Sequence, residues 1–81
     1  MRLPRDIGAE ELAILLRRCG YEVTRQTGSN MRLTTVREGE HHITIPRHSA
    51  LRVGTLSAIL TDVADHLGMS RHALTEILFG K

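Results

Sequence analysis

The sequence predicts one α+β domain over residues 1–81, a two-layer fold in which helices cover one face of a three-stranded antiparallel sheet. Apolar residues recur at helical spacing near both ends of the chain, whereas in the middle they alternate with polar residues, as in strands buried on one face. No repeat, linker or low-complexity segment divides the 81 residues. The predicted element order is therefore α-β-β-β-α-α, and the face of the sheet that lacks helices is predicted to be polar.

The first helix is predicted from "GAEELAILLRRCG". Acidic residues in its first turn and arginines in its last turn suit the helix dipole. Gly20 is the predicted left-handed residue at which the helix stops. The apolar stripe of this helix carries Leu12, Leu15, Leu16 and Cys19.

Three strands follow, because the apolar period changes to two from Tyr21 onward. The apolar face of the predicted sheet carries Tyr21, Val23, Met31, Leu33, Ile43 and Ile45. The polar face carries Glu22, Thr24, Gln26, Asn30, Arg32, Thr34, His42 and Thr44.

The turn lengths follow from the faces, because residues paired across strands must share a face. In "VREGE", a three-residue loop over 37–39 keeps the faces consistent and places Gly39 where a left-handed residue is favoured. The pairs that result are Asn30 with Pro46, Arg32 with Thr44, and Thr34 with His42. The same argument makes 27–29 the first loop and sets Gln26 opposite Asn30.

Two further helices are predicted after the loop "PRHSALRVG". The first is strongly amphipathic and ends at Gly68, with a stripe of Leu56, Ile59, Leu60, Val63 and Leu67. Ser70 is the predicted cap of the last helix, whose inward residues are Leu74, Ile77 and Leu78.

Composition narrows the class of protein. The single cysteine, Cys19, cannot form an internal disulfide, and no apolar stretch is long enough for a membrane span or signal peptide, so the expected location is the cytoplasm. The net charge is +2, and ten of the eleven cationic residues are arginine. Segment 24–37 carries three arginines and no acidic residue. This is a weak indication of nucleic-acid binding, and a solvated sheet face is the alternative.

The sequence offers little for other kinds of chemistry. His41 and His42 are adjacent in a strand and point to opposite faces, while His66 and His72 are predicted to be surface residues of helices. No metal site or cofactor is expected, because the chain has one cysteine and no His-x-x-x-His spacing. The serines lack the context of an activated nucleophile, and the glycines form no phosphate-binding loop.

Two segments carry a family resemblance: "AEELAILLRRCGYEVTRQTGS" and "ITIPRHSALRVGTLSAIL". In that order they resemble the first helix, Gly-Ser turn, Pro-x-His loop and Gly-Thr-Leu helix of the HicA toxins of bacterial toxin–antitoxin systems. The resemblance implies a fold similar to double-stranded-RNA-binding domains and a metal-independent endoribonuclease that cuts mRNA. It also implies a HicB-type antitoxin as partner.

The chain departs from the family pattern at two places. The catalytic histidine of the family follows the Gly-Ser turn, and here that position is Asn30, which fits both a natural and an introduced asparagine. An amide cannot exchange a proton near neutrality, so an inactive or impaired nuclease is expected. The segment "TDVADHLGMS" is also about one turn longer than usual. The residues expected to hold RNA are Arg25, Ser29, Arg32, Arg47 and His48.

The same residues fit two other function classes. One is an RNA-binding module in which Asn30 contacts RNA and nothing is cut. The other is a protein-interaction domain without an RNA role. Register makes His48 the candidate for a second functional histidine, because Pro46 opposite Asn30 brings His48 to the same end of the sheet. The alternative is that His48 only holds its own loop through a hydrogen bond to a backbone carbonyl.

Overall fold

The computed structural model describes residues 6–80, and these form the predicted α-β-β-β-α-α order. The predicted domain, 1–81, extends beyond them by residues 1–5 and 81, which lie outside the described part. The elements are α1 (Ala9–Leu16, continued by a 3₁₀ turn over Arg17–Cys19), β1 (Glu22–Gln26), β2 (Asn30–Thr35), β3 (His41–Pro46), α2 (Val53–Leu67) and α3 (Arg71–Phe79).

The strands form one antiparallel sheet in the order β1-β2-β3. Its apolar side chains meet those of the helices in a single core. α2 packs on β3, and α3 contacts both α1 and α2. The α+β prediction is therefore confirmed. The fully buried large side chains of this core are Tyr21, Leu12, Leu16, Leu33, Ile45, Leu56, Leu60, Leu74, Leu78 and Val63.

The hairpin of β2 and β3 has the predicted register. Asn30 lies opposite Pro46, Arg32 opposite Thr44 and Thr34 opposite His42. Gly39 takes the predicted left-handed conformation, with φ +99°. Glu38, the residue before it, is left-handed as well, with φ +58°, which a non-glycine residue adopts at a cost.

The hairpin of β1 and β2 differs from the prediction near its turn. Gln26 lies opposite Met31 rather than Asn30, although Val23 still lies opposite Leu33. The register shifts between Val23 and Arg25, so Thr24 is an extra residue on β1. Such a β-bulge moves the side chain of every later residue on its strand to the other face of the sheet. Gln26 therefore leaves the predicted polar set, and Arg25 joins it opposite Arg32.

The helix ends follow the predicted capping residues. Gly20 and Gly68 stop their helices in the left-handed region, with φ +85° and +69°. The Ser70 hydroxyl accepts a hydrogen bond from the Ala73 backbone N–H at 3.0 Å. One inward assignment was wrong: Ile77 is 41% exposed, because only Leu74 and Leu78 of the predicted stripe face the core of this short helix.

The histidines divide between the two faces of the sheet as predicted. His41 is turned toward the helix layer, where its Nδ1 lies 2.8 Å from the Tyr21 hydroxyl and its Nε2 lies 3.2 Å from Asp62 Oδ1. His66 is half-buried and makes contacts that the sequence did not predict. Its ring stacks on that of His41 at 4.3 Å, and its Nε2–H points at two backbone carbonyls of the 37–39 loop. His72 is exposed, as predicted.

Candidate nucleic-acid interface

The helix-free face of the sheet is a continuous polar surface, which we call the polar sheet face. It forms three rows across the strands, because paired residues share a face. Its side chains are those of Glu22, Thr24, Arg25, Asn30, Arg32, Thr34, His42 and Thr44.

Arg25 and Arg32 form the central row and lie directly opposite each other. Like charges at opposed positions repel, so this pair destabilises the sheet unless an anion binds to it. Within residues 6–80, neither guanidinium has a carboxylate within ion-pair distance; the ion pairs there involve His41, His42 and Arg47. The arrangement presents two fork-shaped donors to a phosphate group.

Asn30 begins β2 directly after the Gly28-Ser29 turn. Its backbone N–H donates to Thr27 Oγ1 at 3.0 Å, and its carbonyl accepts from the Thr27 N–H at 2.9 Å. Its side-chain Nδ2 donates to Ser29 Oγ at 3.2 Å. The backbone at position 30 is therefore fixed by Thr27, while the side chain is exposed on the polar sheet face.

Arg47 ties this turn to the end of β3. Its backbone N–H donates to the Ser29 carbonyl and its Nη1 donates to the Thr27 carbonyl, both at 2.9 Å. Its Nη2 lies 3.9 Å from Glu10 Oε2 on α1. The structure thus brings Arg47 to the same end of the sheet as Asn30, which we call the rim. Much of the hydrogen-bonding capacity of Arg47 is used by the 27–29 turn.

His48 lies beside Arg47 in the loop after β3. Its backbone is fixed, because its N–H donates to the Pro46 carbonyl and its carbonyl accepts from the Ala9 N–H. The side chain is exposed and borders a cavity of about 260 Å³ at the start of α1. Within the described chain it makes no hydrogen bond to a backbone carbonyl, which was the structural role considered for it. The backbone contacts of His48 do not depend on its side chain.

The row of Glu22, Thr34 and His42 carries a chain of hydrogen-bonded polar side chains that was not predicted from the sequence. His42 Nδ1 lies 2.7 Å from Thr34 Oγ1, and His42 Nε2 lies 2.7 Å from Glu40 Oε2. Thr34 Oγ1 in turn lies 2.9 Å from Thr24 Oγ1. The sequence contains a signal for part of this chain, because Glu40 stands just before β3 and two residues from His42, so continued strand alternation would place both side chains on one face.

Across 6–80, no three His, Cys, Asp or Glu side chains are grouped closely enough to hold a metal ion. In the same part of the chain, no helix has the length and apolar character needed to cross a bilayer.

Comparison with known families decides the class of protein. The family model described as the HicA toxin of bacterial toxin–antitoxin systems matches residues 9–64. The chain belongs to the HicA toxin family. The match covers α1, the whole sheet and most of α2, and thus every residue of the polar sheet face. Searches of curated proteins and of solved structures return no match for the chain.

Membership in the HicA family makes this chain a toxin of a toxin–antitoxin pair, and the family is generally one of ribonucleases. It also implies pairing with a HicB antitoxin. Both the arginine row and position 30 lie inside the matched region, on the face that is free of helices.

Proposed function

We propose that this HicA chain is an endoribonuclease toxin that acts on mRNA to inhibit translation, and that Asn30 leaves it impaired. The observation that carries the proposal is the pair Arg25 and Arg32, which adjoins position 30 on an exposed face and has no carboxylate partner in the described chain. Two unneutralised guanidiniums suit a phosphodiester. Since mRNA is the substrate, the site of action is the cytoplasm.

Position 30 is suited to proton transfer in its placement but not in its side chain. The residue follows a tight turn, is exposed, and is one row from the arginine pair. An imidazole there could exchange a proton with RNA near neutral pH, whereas the amide of Asn30 can only donate and accept hydrogen bonds. Loss of general acid–base catalysis costs about 10²- to 10⁴-fold in rate.

The remaining residues assigned to RNA surround the same turn. Ser29 Oγ already accepts a hydrogen bond from Asn30, and Arg47 holds the turn while one edge of its guanidinium reaches toward α1. His48 is exposed at the same rim. We assign Ser29, Arg47 and His48 to the RNA backbone, and a HicB-type antitoxin would inhibit by covering this face.

The test is the Asn30→His variant, compared with the parent chain on a labelled RNA in the presence and absence of EDTA. We expect faster cleavage in the variant, by about 10²-fold or more, and no effect of EDTA, because protein side chains would supply the acid–base groups. Expression of the Asn30→His variant should also arrest growth more strongly than expression of the parent chain. A folded variant no faster than the parent would refute the catalytic assignment of position 30.

A non-catalytic RNA-binding module is the second candidate, favoured by the exposed Asn30 amide, which can donate and accept hydrogen bonds with RNA but cannot transfer a proton. It predicts RNA binding without cleavage in both the parent and the Asn30→His variant. Absence of RNA binding in both would instead favour a protein-interaction domain.

A further inference from the structure

Four side chains on the polar sheet face form one hydrogen-bonded chain from a hydroxyl to a carboxylate. It runs from Thr24 Oγ1 to Thr34 Oγ1 at 2.9 Å, on to His42 Nδ1 at 2.7 Å, and from His42 Nε2 to Glu40 Oε2 at 2.7 Å. Glu40 and His42 are exposed and Thr34 is half-buried, so the chain lies open to a ligand.

The partners decide which nitrogen of His42 carries the proton in the neutral ring. A carboxylate can only accept, so Nε2 must be the N–H that donates to Glu40. Nδ1 is then the acceptor, and Thr34 donates to it. A histidine with one nitrogen held by a carboxylate and the other facing a hydroxyl has the arrangement of a general base.

The position of His42 relative to the arginine pair gives this arrangement a use. Rows of the same face are two residues apart along a strand, about 7 Å. Arg25 and Arg32 form the central row, Asn30 belongs to the row on one side and His42 to the row on the other. A phosphate bound by the arginines would thus have position 30 on one side and His42 on the opposite side.

We propose that His42, held by Glu40, is a second proton-transfer residue for RNA cleavage and acts from the opposite side of the arginine pair to position 30. This inference rests on the proposed ribonuclease function. It deepens that function because the chain with Asn30 then retains one of two acid–base groups. A ribose 2′-hydroxyl replaces the Thr34 hydroxyl at Nδ1, and Thr34 keeps Thr24 as its partner.

The step balances without a further reactant. The 2′-hydroxyl proton passes to His42 Nδ1, the 2′-oxygen bonds to phosphorus, and the bond from phosphorus to the 5′-oxygen breaks. The 5′-oxygen takes a proton from water in this chain, or from a protonated imidazole in the Asn30→His variant. The products are a 2′,3′-cyclic phosphate and a 5′-hydroxyl.

Another histidine cluster in the described chain does not compete for this role. His41 is held between Tyr21 and Asp62 and is stacked on His66, on the helix side of the sheet. Its partners use both ring nitrogens, and the sheet separates it from the arginine pair.

The experiment measures kcat and its pH dependence for His42→Gln and Glu40→Gln, each in the Asn30→His background. His72→Gln is the matched control, because His72 is an exposed histidine on α3 outside the polar sheet face. We expect His42→Gln to lower kcat by about 10²-fold or more and Glu40→Gln by about tenfold, with His72→Gln unchanged. Melting temperatures identify any loss that reflects unfolding.

The pH profile provides a readout that a structural role would not change. With imidazoles at both positions the profile should be bell-shaped, and His42→Gln should remove its acidic limb, on which the rate rises with pH. A folded His42→Gln variant with the full rate and both limbs would overturn the inference while leaving position 30 catalytic. An Asn30→His protein that does not cut RNA would overturn the proposed function and this inference together.

Discussion

Arg25 lies directly opposite Arg32 although strict alternation along β1 would place the two side chains on different faces of the sheet. The extra residue Thr24 turns Arg25 onto the polar face, and Thr24 Oγ1 lies 2.9 Å from Thr34 Oγ1 and 3.3 Å from the Arg32 carbonyl oxygen. β-Bulges re-aim side chains at functional surfaces. This one brings onto one face two arginines that strict alternation would place on opposite faces.

The arginine pair should dominate the salt dependence of RNA binding. Arg25→Ala and Arg32→Ala should each flatten the slope of log K against log salt by about 0.7 for single-stranded RNA, because each removes one phosphate contact. Arg71→Ala is the control, since Arg71 is an exposed arginine at the start of α3. Titrations at three or more salt concentrations provide the slopes. Equal slopes for all three variants would show that RNA does not bind through this face.

The same substitutions should raise stability in the absence of RNA. Removing one of two opposed cations relieves repulsion worth about 0.2–1 kcal/mol, and the relief should shrink as salt is added. Urea unfolding of Arg25→Ala and Arg32→Ala at low and high salt measures it. A loss of stability in both variants at low salt would show that the pair contributes to the fold rather than to ligand binding.

Most of the fold was predictable because apolar residues mark the faces of its elements. In β2 and β3 each apolar side chain has a buried partner, so only the loop over 37–39 satisfies both strands. The end of β1 has no such marker. Thr24, Arg25 and Gln26 are all polar and exposed, so neither face excludes them, and the bulge could not be inferred from alternation.

The site was predictable in part for the same reason. The rim formed by Asn30, Pro46 and Arg47 follows from register alone. The position of His66 does not follow from register. Its ring stacks on that of His41, 25 positions away in sequence, because α2 packs on β3. The pairing of His42 with Glu40 was available from their spacing, but whether two exposed side chains meet is decided by the turn between β2 and β3.

Glu38→Gly should stabilise the protein. Glu38 is left-handed, with φ +58°, a conformation that costs a non-glycine residue about 1–2 kcal/mol and costs glycine little. We expect a gain of about 0.5–1 kcal/mol in the free energy of unfolding, smaller than the strain because glycine also gains freedom in the unfolded chain. Thermal or urea unfolding measures it, with Glu76→Gly in α3 as a control that should destabilise.

Stability should fall at alkaline pH through Tyr21. Burial, with smaller contributions from Asp62 and Cys19, raises the pKa of the Tyr21 phenol from its ordinary value of 10.0 to about 12. The unfolded chain therefore loses this proton first, so the stabilisation is complete below about pH 10 and is lost as pH rises through 12. Ultraviolet titration of tyrosinate in the folded protein measures the shift directly, because Tyr21 is the only tyrosine.

The Tyr21→Phe variant separates the phenol from other alkaline effects. It should lose stability near neutrality, by about 1 kcal/mol for the hydrogen bond to His41, yet show a shallower decline between about pH 10 and 12. Burial also raises the pKa of the Cys19 thiol, against an opposing effect of Arg37, so the comparison belongs in a Cys19→Ala background. An unchanged alkaline slope would assign the decline to other groups.

His48 should contribute to cleavage rather than to the stability of its loop. Its backbone N–H and carbonyl hold the loop to Pro46 and Ala9, and these contacts persist whatever side chain is present. In the Asn30→His background, His48→Gln should therefore leave the melting temperature nearly unchanged and reduce kcat/KM at least about tenfold, roughly 1.4 kcal/mol of barrier.

His48→Ala extends the test by removing hydrogen bonding by this side chain altogether. His48 is expected to contact phosphate, whereas His42 is expected to transfer a proton. A glutamine at position 48 can still donate a hydrogen bond to RNA, so His48→Gln should retain more activity than His48→Ala. The loss of kcat/KM in both variants should come mainly from a higher KM. Full activity in both variants, or a loss of activity that parallels a loss of stability, would make His48 a structural residue of the loop after β3.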